Sequence, residues 1–254
     1  MLKTRIIVCL LIDSELHLIN TKNFLKSKYL GDPLNAAYIF SNYEVDELLV
    51  LDVEASNKNK CISFEFVKAL SNFTTVPLTV GGGISSLKQI KDLLSYGVER
   101  VVIGQNQKSN FTFLKKACER FGSSSISAVL NVKKLANREY QLFMGRNRIK
   151  NSDILNEAFS CQKAGAGELI INSMDRDGSQ KGLDIDLMKE LNEHLSIPLV
   201  AMGGCGNCYH IDELLKATPL SGIACSSIFV YAPGTEQLLL RYSEIKKNLI
   251  MINP

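Results

Sequence analysis

Short apolar runs, bounded by turn-forming residues, recur along the whole chain. Each run has the length of one β-strand, and its residues are almost continuously apolar rather than alternating with polar ones. Continuous apolar runs are typical of strands that are buried on both faces, as in parallel sheets. The pattern predicts eight strands, near residues 5–11, 47–52, 77–80, 100–103, 125–131, 168–172, 198–202 and 222–226.

The segments between these runs carry helix signals. Asp32-Pro33 predicts a helix start, because aspartate is a favoured N-cap and proline suits the first helical turn. Ser85-Ser86, Ser152-Asp153 and residues 184–186 are further starts, and the first of these precedes apolar residues at helical spacing. Alternating strands and helices predict an α/β fold, a single (βα)₈ TIM barrel over residues 1–254.

Two glycine-rich segments of the same kind follow strands half a chain apart. They cover residues 79–84 and 201–206, and a pair of acidic segments, 51–56 and 172–178, repeats at similar spacing. The repeat predicts that the barrel is built from two similar half-barrels. Adjacent glycines let backbone N–H groups approach an anion. Glycine pairs that merely permit tight turns are the alternative interpretation.

The loops that follow the strands of a (βα)₈ barrel carry its functional groups. This end of the barrel is called the top face below, and the opposite end is called the bottom. We expect the site among the residues at the strand C-termini, which are Asp52, Gly81, Gly82, Gly83, Gly104, Asn131, Asp177, Gly178, Gly203, Gly204, Ser226 and Ser227.

Composition narrows the class of protein. The 254 residues carry a formal net charge of +3, spread along the chain without the basic patch of a nucleic-acid-binding protein. No apolar run reaches the length of a membrane span, and the N-terminus runs into a strand without a signal-peptide cleavage site. Seven scattered cysteines, Cys205 and Cys208 among them, indicate reduced thiols rather than disulfides or a metal site. We expect a cytoplasmic protein with no metal and no cofactor.

Several ordered motifs match one known family along the whole chain. They are Arg5-Ile6-Ile7, Gly31-Asp32-Pro33, Val80-Gly81-Gly82-Gly83-Ile84, Phe121-Gly122-Ser123, Gly165-Ala166-Gly167-Glu168 and Asp175-Arg176-Asp177-Gly178. In these motifs the chain resembles the cyclase subunit of imidazole glycerol phosphate synthase. The resemblance implies a barrel that pairs with a glutaminase subunit, conducts ammonia through its interior and holds a ribonucleotide by two phosphates on the top face. It also implies two catalytic aspartates, at the ends of the first and fifth strands.

This sequence departs from the family at both catalytic positions, which read Leu11 and Asn131. Leucine has no titratable proton, and an asparagine amide is no general base near neutral pH. The family's first-loop lysine falls at Ile19 or Asn20, which are not basic. We therefore predict that no catalytic residue is intact and leave open whether the protein is an enzyme. Substitution by the nearby Asp13 and Lys22 is the alternative.

The resemblance also implies which residues contact phosphate. The half-site in the C-terminal half of the barrel is largely kept, whereas the N-terminal half has Gly104-Gln105 where the family has Asn-Thr. We therefore expect one phosphate-containing ligand, a substrate or an effector, to be held firmly on the top face and a second anion weakly. The residues implied are Asp52, Gly82, Gly83, Asp177, Gly178, Gly203, Gly204, Ser226 and Ser227.

Four charged residues lie just before strands, at the bottom of the barrel. Arg5, Glu47, Arg100 and Glu168 match the residues that surround the ammonia entrance in the family, and they are called the charged ring below. Glu99 matches a position that docks the glutaminase. Two cations and two anions can neutralise one another at a buried mouth, whereas each alone would be costly to bury. An ordinary ion-pair cluster that only closes the barrel is the alternative.

A second group of cyclase-like proteins resembles this chain more closely. The matching segments are Cys9-Leu10-Leu11, Gly31-Asp32-Pro33-Leu34-Asn35-Ala36, Ser227-Ile228-Phe229-Val230 and Ile252-Asn253-Pro254. That group is associated with surface-polysaccharide (lipopolysaccharide) gene clusters and with the amidation, or acetamidino modification, of sugars. Its members work with a second glutaminase and a separate sugar amidotransferase.

Three functions follow from these resemblances. The first, which we favour, is a conduit that carries ammonia from a glutaminase to a sugar amidotransferase without cyclase activity. The second is the cyclase subunit of imidazole glycerol phosphate synthase in histidine biosynthesis. The third is a non-catalytic, allosteric activator of the glutaminase.

Overall fold

The computed structural model describes residues 3–24, 26–104, 110–135, 139–144, 147–148, 153–231 and 245; Gln105, Ser152 and the closing Ile252-Asn253-Pro254 lie outside them. The strands are β1 (Arg5–Ile12), β2 (Leu18–Lys22), β3 (Lys26–Gly31), β4 (Glu47–Asp52), β5 (Leu78–Gly81), β6 (Arg100–Gly104), β7 (Ile126–Lys134), β8 (Tyr140–Met144), β9 (Asn147–Arg148), β10 (Glu168–Ser173), β11 (Leu199–Met202) and β12 (Gly222–Cys225). The helices are α1 (Pro33–Asn42), α2 (Phe64–Phe73), α3 (Leu87–Ser95), α4 (Asn110–Phe121), α5 (Ile154–Lys163), α6 (Ile185–His194), α7 (Cys208–Ala217) and α8 (Ser227–Val230).

Parallel strands close into a barrel. Their order around it is β1, β4, β5, β6, β7, β10, β11 and β12, and β12 pairs with β1 to complete the circle. A helix follows each barrel strand before the next begins or the described barrel ends. The predicted (βα)₈ barrel is therefore confirmed, and each predicted apolar run corresponds to one barrel strand.

The barrel strands are buried on both faces, which explains their continuous apolar character. In β1, Ile6 and Val8 pack outward against the helices, whereas Ile7, Cys9 and Leu11 point into the barrel. Alternate residues of the other strands divide in the same way. The inward residues form a separate apolar cluster, called the barrel interior below, which contains Ile7, Cys9, Leu11, Ile19, Leu49, Leu51, Val102, Val129, Ile170, Val200, Met202 and Ala224.

Side-chain caps begin the helices where the sequence predicted them. Asp32 accepts the N–H of Asn35 at 2.8 Å, with proline at the first helical position, and Ser86 forms a capping box. Asp153 and Asp184 cap α5 and α6 in the same way. Each cap satisfies an N–H that has no partner within the helix, so it sets where the helix begins.

The two halves of the barrel repeat each other in detail. The carbonyl of Pro77 accepts the N–H of Leu48 at 2.9 Å, and half a chain later the carbonyl of Pro198 accepts the N–H of Leu169 at the same distance. The helix caps repeat as the pairs Asp32 and Asp153, Ser63 and Asp184, and Ser86 and Asn207. The structure thus agrees with two similar half-barrels.

Antiparallel strands were not predicted, and they lie on the top face. The hairpin of β2 and β3 follows β1 and pairs with it through Leu11 and Ile19. In the other half, β8 pairs with β7 through Asn131 and Phe143, so β7 extends to Lys134, beyond its predicted end. These short strands mix polar and apolar residues, because one side is solvated, and a search for continuous apolar runs misses them.

Disulfide bonds, metal clusters and membrane-spanning helices are missing from the part of the chain that the structure describes. All seven cysteines are free thiols. Within the described residues, no group of three or more His, Cys, Asp or Glu side chains is placed to hold a metal ion. No helix in those ranges has the length and apolar character that crossing a bilayer requires.

Candidate functional site

The charged ring is assembled at the bottom of the barrel. The guanidinium of Arg5 lies between two carboxylates, with Nη1 contacting Glu47 Oε2 and Nη2 contacting Glu168 Oε2. The side chains of Glu47 and Glu168 are only 3% and 6% exposed, whereas that of Arg5 is 27% exposed. Three strands that are far apart in sequence therefore bring one cation and two buried anions together.

Arg100 completes the ring from the other side. Its Nη1 lies 3.3 Å from Glu47 Oε2, and its Nε donates to the carbonyl of Ser124 at 3.0 Å. Thr79 donates its hydroxyl to Glu47 Oε1 at 2.6 Å. The ion pairs run from Arg100 to Glu47, from Glu47 to Arg5 and from Arg5 to Glu168. Among the described side chains, no ion pair joins Glu168 back to Arg100.

Burial and charge pairing shift the pKa values of Glu168 and Arg5 in opposite directions. Burial raises the pKa of Glu168, and the nearby charge of Arg5 opposes that rise. Burial lowers the pKa of Arg5, but the carboxylates of Glu168 and Glu47 more than offset it, so the pKa of Arg5 is raised overall. Arg5 therefore stays cationic, and its charge compensates both buried carboxylates.

Replacing Arg5 should destabilise the barrel strongly. In Arg5→Met the two buried carboxylates lose their shared cation, and breaking a buried pair costs about 3–5 kcal/mol. Urea unfolding of the full chain measures the loss. The control is Lys115→Met, because Lys115 and Glu119 form an exposed pair on α4 that should contribute about 0.5 kcal/mol or less. Equal stability of the two variants would show that Arg5 does not hold the ring together.

One pocket on the top face gathers the predicted phosphate-binding residues of the C-terminal half. Its cavity volume is about 20 Å³, and it opens to solvent. Cys9, Leu11, Asn20 and Met202 form part of its wall. The predicted residues that line it are Asp177, Gly178, Gly203, Gly204, Ser226 and Ser227. Asp52, Gly82 and Gly83 lie at the ends of strands in the other half, outside this pocket.

The glycine pairs are required by the backbone itself. Gly204 has a φ of +97°, and a Cβ there would lie 2.2 Å from the carbonyl oxygen of Gly182. Gly83 has a φ of +60°, and a Cβ there would lie 1.8 Å from the carbonyl oxygen of Lys60. Tight turns thus account for these glycines without a ligand. Anion binding by their N–H groups stays a prediction.

The two aspartates of the top face brace loops. Asp52 Oδ1 accepts the N–H groups of Glu54 and Ala55 at 3.0 and 2.8 Å. Asp177 Oδ2 accepts the hydroxyl of Thr21 at 2.6 Å and so ties the β2–β3 hairpin to the pocket. Burial raises the pKa of both carboxyls, and these hydrogen bonds oppose the rise. Their hydrogen bonds support a positioning role at the predicted phosphate sites.

Asp177 should make stability depend on pH. Its raised pKa means that the folded protein holds the proton more tightly than the unfolded chain. Its contribution is therefore fully present below the ordinary aspartate pKa and is lost as pH rises through the folded-state value. Urea unfolding from about pH 4 to about pH 7 should show a steeper fall for the wild type than for Asp177→Asn. Thr21→Val should steepen the fall further, and parallel wild-type and Asp177→Asn curves would contradict the assignment.

The two family catalytic positions present no acid or base. Leu11 is 4% exposed and packs in the barrel interior beside Ile19. Asn131 Oδ1 accepts a hydrogen bond from Asn172 Nδ2 at 3.0 Å. The possible substitute Asp13 accepts the backbone N–H of His17 at 2.9 Å and pairs with its ring, within the β1–β2 turn. The structure thus holds Asp13 in a turn, away from Asn131.

Sequence reasoning missed several polar residues inside the barrel. Thr79 supports the ring, Asn172 pairs with Asn131, and Ser127 is fully buried on β7. Asn20, considered only as a replaced lysine, lines the pocket and donates to the hydroxyl of Tyr231 at 3.2 Å. The available signal was an isolated polar residue within an otherwise apolar strand, which becomes informative only once the inward face is known.

These features define a class of protein, a (βα)₈ barrel with a charged mouth below and glycine loops around a pocket above. A family model described as "Histidine biosynthesis protein" matches residues 5–233, and the chain belongs to that family.

Three relatives match this chain over more than nine-tenths of its length. A protein of Leptospira borgpetersenii with the provisional name imidazole glycerol phosphate synthase subunit HisF is 35% identical over 247 residues, which cover 95% of this chain and 96% of the relative. A Pseudomonas aeruginosa protein, provisionally named subunit hisF2 of the same synthase, is 33% identical over 249 residues, covering 97% and 98%. Subunit HisF of Bacillus cereus (strain AH187) is 32% identical over 236 residues, covering 92% and 93%. The predicted resemblance to this type of barrel is confirmed.

Proposed function

We propose that this barrel docks a glutaminase at its bottom, conducts ammonia to its top face and has lost cyclase activity. The observation that carries the proposal is the difference between the two ends. The charged ring is complete in composition and assembled around Glu47 and Glu168. At the other end, Leu11 and Asn131 supply neither acid nor base.

The interior between the two ends is suited to a small neutral molecule. Apolar side chains of the barrel interior, such as Leu49, Val102 and Ile170, occupy the middle of the barrel. A buried charge without a partner is strongly disfavoured in such surroundings, so ammonia is favoured there over ammonium. This supports transfer of the neutral form alone.

Glu99 is the proposed docking contact. Its side chain is 52% exposed and lies 3.7 Å from Arg100 Nη2, so a group on the partner that binds Glu99 also reaches the ring. A stable heterodimer would bury on the order of 1,200–2,000 Å² around this position. The names of the relatives identify them as subunits of a synthase, which supports an obligate partner.

The acceptor in this proposal is a sugar amidotransferase of surface-polysaccharide biosynthesis, and the location is the cytoplasm. Support comes from the closer resemblance to the second group of cyclase-like proteins and from a relative whose name carries the suffix of a second copy. The top-face pocket then binds a phosphate-containing ligand through Gly203, Gly204, Ser226 and Ser227. In this setting the ligand is an effector or the nucleotide portion of the sugar donor.

The second candidate is the cyclase subunit of imidazole glycerol phosphate synthase in histidine biosynthesis. It is favoured by the name of the Bacillus cereus relative and by the pocket that gathers one complete set of predicted phosphate contacts. Family membership is equally compatible with either candidate, because fold does not determine activity. The residues at the two family catalytic positions, Leu11 and Asn131, are our reason for favouring the first candidate.

The two candidates differ in a direct assay of cyclase chemistry. With ammonium salts and the family's ribonucleotide substrate, the purified barrel should form no imidazole glycerol phosphate above background, because each acid–base group contributes about 10²–10⁴-fold. The Bacillus cereus relative serves as the positive control. Robust product formation by this barrel would establish the second candidate.

Conduction is tested in the complete complex of barrel, glutaminase and acceptor enzyme. Arg100→Ala removes one cation from Glu47 and should let ammonia escape, so hydrolysis of glutamine continues, amidated product falls and free ammonia appears. Glutamate, ammonia and product are measured together, with Lys115→Ala as the control. An unchanged product-to-glutamate ratio in Arg100→Ala would contradict conduction. Hydrolysis and product falling in proportion would instead identify an activator.

A further inference from the structure

The hydroxyl of Ser127 is buried and has no hydrogen-bond partner in the part of the chain that the structure describes. Ser127 is 0% exposed, and its Oγ makes no hydrogen bond with any group of the described chain. Burying an unpaired hydroxyl is unfavourable, and most buried polar side chains in folded proteins are hydrogen-bonded. A small molecule, either a ligand or a water, can complete this hydrogen bond.

Ser127 points into the barrel. On β7, Ile126 and Ala128 pack outward with the helices, and Val129 belongs to the barrel interior. Since successive residues of a strand face opposite sides, Ser127 faces inward with Val129. Its neighbours in register are Val102 on β6 and Glu168 on β10. The unpaired hydroxyl thus lies at the level of the charged ring.

Ser127 also lies between the two ring members, Arg100 and Glu168, that are not joined by an ion pair among the described side chains. Arg100 belongs to β6 and Glu168 to β10, and β7 runs between these strands. The ion pairs run from Arg100 through Glu47 and Arg5 to Glu168 on the other side of the barrel. Ser127 is therefore the inward-facing residue of the strand between Arg100 and Glu168, at the level of the ring.

A second buried atom with no hydrogen-bond partner among the described residues is Oδ1 of Asn172, near the top end of β10. Asn172 is 5% exposed; its Nδ2 donates to Asn131, but its Oδ1 accepts nothing from the described chain. Asn172 is in register with Asn131 and with Met202 of the barrel interior. Four residues of strand separate the levels of Ser127 and Asn131, about 13 Å, and apolar side chains lie between them.

We propose that Ser127 and Asn172 are two binding positions for neutral ammonia inside the barrel, one at the level of the charged ring and one near the top. The proposal rests on the function proposed above and names the groups that bind its small substrate. A hydroxyl donates to the nitrogen lone pair of ammonia or accepts one of its N–H groups, and an amide oxygen accepts N–H. No proton transfer is needed at either position, so ammonia stays neutral between them.

Methyl NMR of the purified full-length barrel tests this directly, with ammonium chloride as the probe. Val102 reports on Ser127, and the methyl group of Met202 reports on Asn172, because each is the register neighbour. Titrations are run above the pKa of ammonium, where neutral ammonia is abundant, and at neutral pH, with sodium chloride at equal concentration as the salt control. Both methyl groups should shift in a saturable manner with ammonium chloride at high pH only.

Variants at Ser127 and Asn172 test whether these two side chains bind the ammonia that each methyl group reports. Ser127→Ala should weaken the Val102 response roughly 3- to 10-fold in apparent affinity, as expected for one lost hydrogen bond, and Asn172→Ala should do the same for Met202. Ser41→Ala, which removes another buried hydroxyl outside the barrel interior, should leave both responses unchanged. The melting temperature of Ser127→Ala should equal or exceed that of the wild type, because Ser127 Oγ makes no hydrogen bond within the described chain.

Two results would overturn the proposal. If ammonium chloride at high pH moves neither methyl group more than sodium chloride does, the unpaired atoms bind water only. If Ser127→Ala and Asn172→Ala respond as the wild type does, ammonia does not bind at these groups. Neither result depends on the glutaminase or the acceptor, so the conduction assay can fail or succeed independently of this one.

Discussion

The pairing of the buried carboxylate of Glu47 is the interaction on which the bottom of the barrel depends. It receives Arg5, Arg100 and the hydroxyl of Thr79, from three different strands. A carboxylate this deeply buried would be costly without them. The parallel register of β1, β4, β5 and β6 therefore has to hold these side chains at one level, which links the pairing of the strands to the electrostatics of the mouth.

The top face depends on backbone geometry and loop hydrogen bonds rather than on buried ion pairs. Its glycine turns are required by positive φ angles and by close backbone contacts, and the carboxylate of Asp177 ties the β2–β3 hairpin to the pocket through Thr21. The acid–base positions are filled by Leu11 and by the Asn131–Asn172 amide pair. The glycine turns and the loop contacts of Asp177 are thus structurally separate from the two positions, Leu11 and Asn131, at which the resemblance implies acid–base chemistry.

This separation explains why family membership alone leaves the activity undetermined. The family model and the relatives match almost the whole chain, because barrel strands, helix caps and glycine turns dominate any comparison of sequences. The proposed difference in activity rests on two positions, Leu11 and Asn131, among 254 residues. The proposed passage of neutral ammonia fits ion pairs at one end and neutral amides at the other, and the proposed binding positions at Ser127 and Asn172 belong to the same proposal.

By itself, the sequence determined the eight barrel strands, the capped helix starts and the half-chain repeat, because burial on both faces, capping and tight turns are local requirements with local signals. It also identified the members of the charged ring through resemblance. Only the tertiary structure decided that Arg5 joins Glu47 to Glu168 and that Ser127 faces inward, with no hydrogen-bond partner among the described residues. These contacts join residues up to 163 positions apart. They depend on strand register and barrel closure, which no short stretch of sequence encodes.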